Sequence, residues 1–264
     1  MEPALFSPAA LFGPQEDEDA VEARTQTSDQ SLEFVERSHE FPGMVLSIRE
    51  FAFHVLNANL LWPGTLSFAE WLVVHQHMLG GQKVLELGSG TGALAIFLKK
   101  AFSTNITTSD YDDEVIEENI AFNCRANGLA KLPHIRHTWG NTFPASEESF
   151  DLILASDILL YVKQYPNLIK TLLFLLKACA PPEDVLISSL QPGIASNKSK
   201  EVMKHSSSDF QLPKPCFLMS WRRRIPKEDE AAFFNGCKDE GLCVQHLGSR
   251  VYCIYKAKEK LSVA

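Results

Sequence analysis

The fold is decided by a short stretch in which an apolar strand runs into a glycine-rich turn: Lys83-Val84-Leu85-Glu86-Leu87-Gly88-Ser89-Gly90-Thr91-Gly92. An apolar helix, predicted at 93–102, follows the last glycine directly. Glycine permits positive φ angles and lets a ligand approach the backbone without meeting a Cβ atom, and the following helix offers its positive N-terminus. The stretch therefore predicts a ligand-binding turn between a buried strand and a helix.

Further along the chain, short apolar strands alternate with helices. Candidate strands lie at 106–109, 135–138 and 150–156, and candidate helices at 68–79, 114–127 and 158–180. Strands joined by helices of this length imply right-handed crossovers and a mostly parallel sheet. Ligands bind outside the carboxyl ends of such strands, where the strand order reverses. The predicted fold class is α/β, with a doubly wound and mostly parallel sheet.

The N-terminal part of the chain divides into a tail and a folded segment. Residues 1–40 combine Pro, Ala, Ser and acidic residues without a sustained period, which predicts a disordered acidic tail. One folded domain is predicted for 41–264, because no Gly/Ser- or Pro-rich linker divides the middle of the chain. Its first part, 41–79, is predicted to form a hairpin starting at Met44 and then a helix.

The C-terminal third is less regular. An amphipathic helix is predicted at 228–240, and 242–247 with 251–256 is predicted to form a hairpin. Two segments, 185–190 and 217–221, are alternative candidates for a fifth strand. The segment between these candidates is rich in Ser, Lys and Pro, which is the composition of an inserted loop.

Composition places the chain among globular proteins and argues against a nucleic-acid partner. The 264 residues are 45% hydrophobic and 22% charged, which suffices for a sizeable core. The net charge of −8 repels a phosphate backbone, and the dense basic run 222–224 is more typical of a solvated strand end. We expect no nucleic-acid partner.

The cysteines and apolar stretches bear on metal binding and on the compartment. Six cysteines are spread without metal-binding spacing and are predicted to be reduced. The longest apolar stretch, 168–180, is interrupted by lysines and is too short to cross a bilayer. We therefore expect no metal site and no membrane partner. The predicted location is cytoplasmic or nuclear.

Two acidic residues indicate the chemistry of the ligand. Glu86 lies two residues before Gly88, where a carboxylate repels a pyrophosphate but suits the ammonium group of a bound amino acid. The glycines run G-x-G-x-G, unlike the G-x-G-x-x-G pattern of dinucleotide-binding turns. Asp110 ends the next strand, 18 residues after Gly92, where a carboxylate accepts hydrogen bonds from ribose hydroxyls. The predicted ligand is a nucleoside that carries an amino acid and no phosphates.

These residues resemble the seven-β-strand methyltransferases and, more narrowly, the lysine methyltransferase-like proteins called family 16. The resemblance is carried by Leu61-Trp62-Pro63, Val84 to Gly92, Ser109-Asp110 with Asn119 and Asn123, Thr138-Trp139-Gly140-Asn141, Asp157, and Ser220-Trp221. It implies a seven-stranded Rossmann-like sheet with an antiparallel C-terminal hairpin and S-adenosyl-L-methionine as the cofactor. It also makes 217–221 the fifth strand and 185–215 an inserted loop.

The resemblance implies a set of site residues. Cofactor binding falls to Trp62, Glu86, Gly88, Ser89, Gly90, Gly92, Asp110, Trp139 and Asn141. The family places a catalytic aspartate at the end of the fourth strand and a tyrosine three residues later. Here the aspartate is Asp157, position 160 is Leu160, and the tyrosine is Tyr161. On a helix, this offset of one residue rotates the ring by about 100°.

The implied reaction is methyl transfer to a lysine side chain. The amine has an ordinary pKa near ~10.4 and must lose its proton before it attacks. Asp157, expected at the rim of the site, would orient the amine and balance its charge. Trp62 and Tyr161 would stabilise a cation by cation–π contact. Ordinary packing is the alternative role for Trp62, Trp139 and Tyr161, and helix N-capping is the alternative for Asp157.

The sequence thus predicts an S-adenosyl-L-methionine-dependent methyltransferase that acts as a monomer on a lysine side chain of a protein substrate. Three alternatives remain open at this point. The acceptor could be a small amine, arginine or another protein side chain. The chain could be a cofactor-binding adaptor without transferase activity. It could also be a nicotinamide-dependent oxidoreductase, since those enzymes use a glycine-rich turn as well.

Overall fold

The glycine-rich stretch lies at the centre of the main sheet in a computed structural model, which describes residues 33–144, 149–177 and 212–257. The strands of these ranges are β1 (Phe34–Phe41), β2 (Met44–Phe51), β3 (Lys83–Leu87), β4 (Asn105–Asp110), β5 (His134–Arg136), β6 (Leu152–Ser156), β7 (Cys216–Ser220), β8 (Leu242–Gly248) and β9 (Val251–Lys256). The α-helices are α1 (Pro63–Val74), α2 (Ala93–Phe102), α3 (Glu114–Ala126), α4 (Tyr165–Leu175) and α5 (Lys227–Asp239).

Seven of the described strands form one sheet in the order β5-β4-β3-β6-β7-β9-β8. Strands β5, β4, β3, β6 and β7 are parallel, and β9 is antiparallel to both of its neighbours, β7 and β8. The chain moves outward from β3 to β5 and then returns to β6 on the other side of β3. The strand order therefore reverses between β3 and β6, which is where such sheets bind ligands. The predicted fold class, including the antiparallel C-terminal hairpin and the strand at 217–221, is confirmed.

Both faces of the sheet are covered, because alternate residues of the central strands enter two separate cores. Val84, Leu154 and Leu218 belong to the core that includes residues of α1, α2 and α3. Their neighbours Leu85 and Ile153 belong to the core that includes residues of α4 and α5. Since side chains alternate along a strand, Glu86 and Ser156 point to the same side as α1. None of the helices in the described ranges is long and apolar enough to cross a membrane.

The N-terminal hairpin begins earlier than the sequence predicts. Strand β1 pairs along its whole length with β2, from Phe34 opposite Phe51 to Phe41 opposite Met44. The prediction of disorder up to residue 40 is therefore wrong for 34–40, while 1–32 lie outside the described residues. Most of β1 is exposed and only Phe41 is buried. Because β1 is held by its pairing with β2 rather than by an apolar face, its sequence shows no hydrophobic period.

Three asparagines spaced four residues apart along α3 and its C-cap, here called the asparagine ladder (Asn119, Asn123 and Asn127), pair with the backbone of β2. The Asn127 side chain accepts from the Ser47 amide at 3.1 Å and donates to the Ser47 carbonyl at 2.7 Å. Asn123 accepts from the Arg49 amide at 2.7 Å, and Asn119 donates to the Arg49 carbonyl at 3.0 Å. The free edge of β2 is thus satisfied by side-chain amides instead of another strand.

Two predicted helices have different bounds in the structure. The helix predicted at 158–180 begins only at Tyr165, after a 3-10 turn at Val162–Gln164, and its described part ends at Leu175. Pro166 is favoured in the first turn of a helix, because it has no amide hydrogen to donate and its ring would clash with a carbonyl of a preceding helical turn. The helix predicted at 68–79 begins at Pro63, for the same reason, and ends at Val74. Residues 178–211, which include the candidate strand 185–190 and most of the predicted inserted loop, lie outside the described residues.

Candidate functional site

The glycine-rich turn requires glycine at two of its positions for space as well as for backbone angle. Gly88 and Gly92 have φ angles of 70° and 76°. A Cβ atom on Gly88 would lie 2.8 Å from the Ile158 side chain, and one on Gly92 would lie 2.9 Å from the Ile120 side chain. Real Cβ atoms do not approach other atoms this closely, so no other residue fits without displacing a neighbour. The turn therefore fits tightly between the segment that follows β6 and α3.

Glu86 is a buried acid with an unpaired oxygen at this turn. The residue is 2% exposed, and its Oε2 atom makes no hydrogen bond in the described structure. Burial, with a smaller contribution from the charge of Asp110, raises the pKa of Glu86 to about 8. It lines a small pocket of about 30 Å³ together with Trp62, Thr65, the glycine turn and Ser156. The pocket therefore contains an acid that gains from meeting a cation.

Asp110 lies where the sequence predicts it, at the carboxyl end of β4, which neighbours β3. Its Oδ2 atom accepts from the Gly90 amide at 2.6 Å, and its Oδ1 atom accepts from the Tyr111 amide at 2.8 Å. Each oxygen retains further acceptor capacity, which two ribose hydroxyls could use. Burial raises the pKa of Asp110 as well. The structure thus brings the glycine turn and both predicted acids together.

The segment 52–62, here called the cap loop, covers the glycine turn. A Cβ atom on Gly90 would lie 3.6 Å from the Ala58 carbonyl oxygen, and Leu60, Leu61 and Trp62 line the pocket beside Glu86. The His54 Nδ1 atom accepts from the backbone amides of Leu56 at 3.2 Å and Ala58 at 3.5 Å. The cap loop therefore carries its own internal bonds and brings Trp62 to the site, as predicted.

The other two predicted cofactor residues differ in their placement. Trp139 is partly buried, and its Cζ2 atom lies 3.8 Å from where a Cβ atom on Gly88 would be. Asn141 is exposed, and its backbone amide and carbonyl bond to Thr138 and His137. Trp139 thus lies beside the turn, whereas the described contacts of Asn141 are made by its backbone.

Asp157 is not on an open rim, as the resemblance led us to expect, but is buried and bonded. Its side chain is 0% exposed. Its Oδ2 atom accepts from the Gly64 amide at 2.7 Å and from the Arg224 guanidinium at 2.8 Å, and its Oδ1 atom accepts from the Arg222 amide at 3.1 Å. The alternative role as a helix N-cap is also wrong, because the next α-helix begins at Tyr165.

The Arg224 guanidinium lies between the Asp157 carboxylate and the ring of Trp62. Its Cζ atom is 4.7 Å from the centroid of the Trp62 ring, within cation–π distance. Its Nη1 atom is buried and has no hydrogen-bond partner in the described structure. The carboxylate and the aromatic face that were predicted to receive an acceptor cation are therefore occupied by a cation of the chain itself.

Tyr161 lies on extended backbone, with φ −111° and ψ 97°, so the expected helical rotation of its ring does not apply. Its hydroxyl accepts from the Asn57 side-chain amide at 2.5 Å and donates to the Val55 carbonyl at 3.2 Å. Burial raises the pKa of the phenol. The neutral Tyr161 hydroxyl is thus hydrogen-bonded to the cap loop, which also carries Trp62.

Sequence reasoning missed four polar residues of the site: Asn57, Thr65, Ser156 and Arg224. The hydroxyls of Thr65 and Ser156 are 2.9 Å apart, and both residues line the pocket with Glu86. The alternation along β6 could have identified Ser156, since it lies on the same face as Leu152 and Leu154. Asn57 and Arg224 had no such signal, because irregular segments far away in sequence bring them to the site.

A larger groove on the outer side of α3 differs from this pocket. It has a volume of about 450 Å³ and is lined by charged residues, among them Glu117, Lys131 and Arg136. Glu117 bonds to both Lys131 and Arg136 at 2.6 Å, and these bonds lower its pKa to about 2. The charges of this groove thus already pair with one another. In the part of the chain that the structure describes, no three His, Cys, Asp or Glu side chains are placed to hold a metal ion.

Comparison with known proteins identifies similar chains. A family model described as lysine methyltransferase matches residues 41–208. The electron transfer flavoprotein beta subunit lysine methyltransferase of Rattus norvegicus is 34% identical over 99 residues, which cover 38% of this chain and 37% of that protein. Protein-lysine N-methyltransferase EFM3 of Chaetomium thermophilum is 33% identical over 122 residues, which cover 42% of this chain and 36% of that protein.

A third relative is named for a different acceptor. Histone-arginine methyltransferase METTL23 of Xenopus laevis is 28% identical over 119 residues, which cover 44% of this chain and 51% of that protein. The aligned segments therefore span between about a third and a half of the length of these relatives.

Proposed function

This chain belongs to the lysine methyltransferase family, and from that premise we propose that it is an S-adenosyl-L-methionine-dependent methyltransferase that acts on a lysine side chain of a protein. The names of two relatives, from rat and Chaetomium, support lysine as the acceptor. The aligned segments cover only part of each relative, so the activity is argued from the site of this chain.

The observation that carries the proposal is the unpaired Glu86 oxygen beside the glycine-rich turn. A buried carboxyl group without a partner is costly unless a ligand completes it. The ammonium of an adenosyl amino acid fits this position, because it supplies both a positive charge and hydrogen-bond donors. Asp110, at the end of the neighbouring strand, retains acceptors for ribose hydroxyls. A dinucleotide fits less well, since its pyrophosphate would meet Glu86.

The residues have separable roles towards this cofactor. When bound, S-adenosyl-L-methionine supplies a methyl group on a sulfonium, which the lone pair of a neutral amine takes as the carbon–sulfur bond breaks. Glu86 would bind the ammonium group and Asp110 the ribose hydroxyls. Gly88 and Gly90, which lack side chains, would leave room for the part of the cofactor between these groups. Segment 60–62 of the cap loop must move outward to admit the cofactor, because the pocket of about 30 Å³ has room for only one or two water molecules.

On the acceptor side, Asp157 is proposed to organise the site rather than to take a proton. Its oxygens already receive two backbone amides and the Arg224 guanidinium. A lysine amine can approach Asp157 and the Trp62 face only if Arg224 moves away.

Arginine is the second candidate acceptor, and one structural observation favours it. The space between Asp157 and Trp62 holds a guanidinium group, that of Arg224, with an ion pair on one side and an aromatic face on the other. A substrate arginine that replaced Arg224 would find the same contacts. The relative from Xenopus is named for arginine, which supports the same alternative.

The proposal is tested by binding and by transfer. Calorimetry with S-adenosylhomocysteine is expected to show association, and NAD is expected to show none. The purified protein is then incubated with labelled methyl donor and a proteome from cells that lack it, and the modified residues are mapped. Label on lysine supports the proposal, and label on arginine selects the second candidate. Tight binding of NAD contradicts the proposal. So does calorimetry that detects no binding of S-adenosylhomocysteine to the folded protein.

A further inference from the structure

Asn57, in the cap loop, contacts both aromatic residues predicted on the acceptor side. Its backbone carbonyl accepts from the Trp62 indole at 3.0 Å. Its side-chain amide donates to the Tyr161 hydroxyl at 2.5 Å, across 104 residues of sequence. One residue thus sets the position of two rings that come from different parts of the chain.

The backbone of Asn57 explains why this residue type stands here. Its φ angle is 55°, in the left-handed region, where asparagine, aspartate and glycine are the residues most easily accommodated. Of these three, only asparagine carries a side-chain hydrogen-bond donor. The position therefore combines a required backbone angle with a required donor.

The two contacts of Tyr161 fix the direction of its hydroxyl. The Val55 carbonyl can only accept, so the phenol must donate its proton to it. Asn57 must then present its NH₂ group to the phenol oxygen, which assigns the amide orientation. With its proton engaged, the Tyr161 oxygen has one lone pair left and can act towards a further group only as an acceptor.

We propose that Asn57 is a positioning residue that fixes Tyr161 as a hydrogen-bond acceptor for the amine of the incoming substrate. An amine that attacks in line must turn its lone pair to the methyl carbon and its N–H groups elsewhere. An oxygen that cannot donate holds such an N–H without competing for the lone pair. This inference rests on the proposed methyl transfer and names a further residue of the same site.

Two substitutions at this position separate a polar role from a packing role. Asn57→Gly keeps the left-handed backbone and the carbonyl that receives Trp62, but it removes the amide donor. Asn57→Asp keeps the shape and tolerates the same backbone, but it offers an acceptor that draws the phenol proton away from Val55. If polarity matters, Asn57→Asp transfers methyl groups more slowly than Asn57→Gly. If Asn57 only fills space, the order is reversed.

The transfer experiment compares these variants with Tyr161→Phe and with the double variant Asn57→Gly/Tyr161→Phe. We expect Asn57→Gly to lower kcat roughly five-fold, which corresponds to the loss of one hydrogen bond in the transition state, with little change in cofactor affinity. The double variant should be no slower than Tyr161→Phe alone. Ser249→Gly, a left-handed and exposed position in the β8–β9 turn, is the matched control and should match the wild type.

A spectroscopic readout keeps the inference testable if no methyl transfer is found. Tyrosine labelled with ¹³C at Cζ reports the hydrogen bonding of its hydroxyl, and the Tyr161 resonance is identified by its loss in Tyr161→Phe. Asn57→Gly should move this resonance, and Ser249→Gly should not. A resonance that stays in place overturns the contact itself, whatever the activity. Additive rate losses, or a faster Asn57→Asp than Asn57→Gly, overturn the proposed role.

Discussion

The asparagine ladder and Glu86 are both buried and polar, and both adjoin the glycine turn, the ladder through the bond of Asn123 to the Thr91 carbonyl. Asn123 uses its side chain fully: it accepts from the Arg49 amide and donates to the carbonyls of Arg49 and Thr91. Glu86 leaves one oxygen without a partner. Burial costs both groups their contacts with water, but only the ladder regains them within the chain. The asparagine side chains therefore stabilise the fold, whereas Glu86 keeps an acceptor atom available to a ligand.

Asp157 provides the severest test of this distinction, because its predicted role is catalytic but its contacts resemble those of the ladder. Asp157→Ala leaves the Arg224 guanidinium and two backbone amides without their partner. We expect the free energy of unfolding to fall by about 3–4 kcal/mol, as for a broken buried ion pair. Chemical denaturation measures this loss. An unchanged free energy of unfolding combined with lost transfer would instead show that Asp157 acts on the substrate.

Glu86→Gln should produce the opposite pair of effects. Losing the charge that we propose to meet the cofactor ammonium is expected to weaken binding of S-adenosylhomocysteine roughly 100-fold, as measured by calorimetry. The free energy of unfolding should not fall, because glutamine has no charged form that burial would destabilise.

The effect of Glu86→Gln on stability should depend on pH, because the pKa of Glu86 is about 8 and its ordinary value is 4.5. The raised pKa means that the folded state holds a proton that the unfolded chain releases. The contribution of Glu86 to the stability of the wild type should therefore be greatest below pH 4.5 and decline as the pH rises to 8, by about 5 kcal/mol at most. Thermal unfolding should show Glu86→Gln gaining on the wild type over this interval. A constant difference between the two proteins would contradict the raised pKa.

Asn123→Ala is expected to have the smallest effect of the three, and it acts on stability alone. It removes the partner of the Arg49 amide and a donor to the Thr91 carbonyl, while the Arg49 carbonyl retains Asn119. We expect the free energy of unfolding to fall by about 2 kcal/mol in urea denaturation. Cofactor affinity should change far less than in Glu86→Gln. The distinction between the two regions breaks if Asn123→Ala weakens binding as much as Glu86→Gln does.

Features that are determined by residues close together in the sequence could be predicted, and features that depend on distant residues could not. The strand, the glycine turn and Asp110 follow from residues within one strand-helix-strand unit, and their predicted positions agree with the structure. Strand β1 was missed because its pairing with β2, and not an apolar period, holds it in place. The prediction for Asp157 was right in position but wrong in exposure, since Arg224 reaches it across 67 residues. Contacts of this kind leave no trace in spacing or composition.

The distance along the chain between Asp157 and Arg224 also has a consequence for how the protein is made. Strand β7 pairs with β6, Ser220 opposite Ser156, and this pairing delivers Arg224 to Asp157. Synthesis proceeds from the N-terminus, so Glu86, the glycine turn and Asp110 leave the ribosome long before residue 224 does. A nascent chain can therefore complete its cofactor half well ahead of its acceptor half, and it should be unable to modify a neighbour until residue 224 has been synthesised.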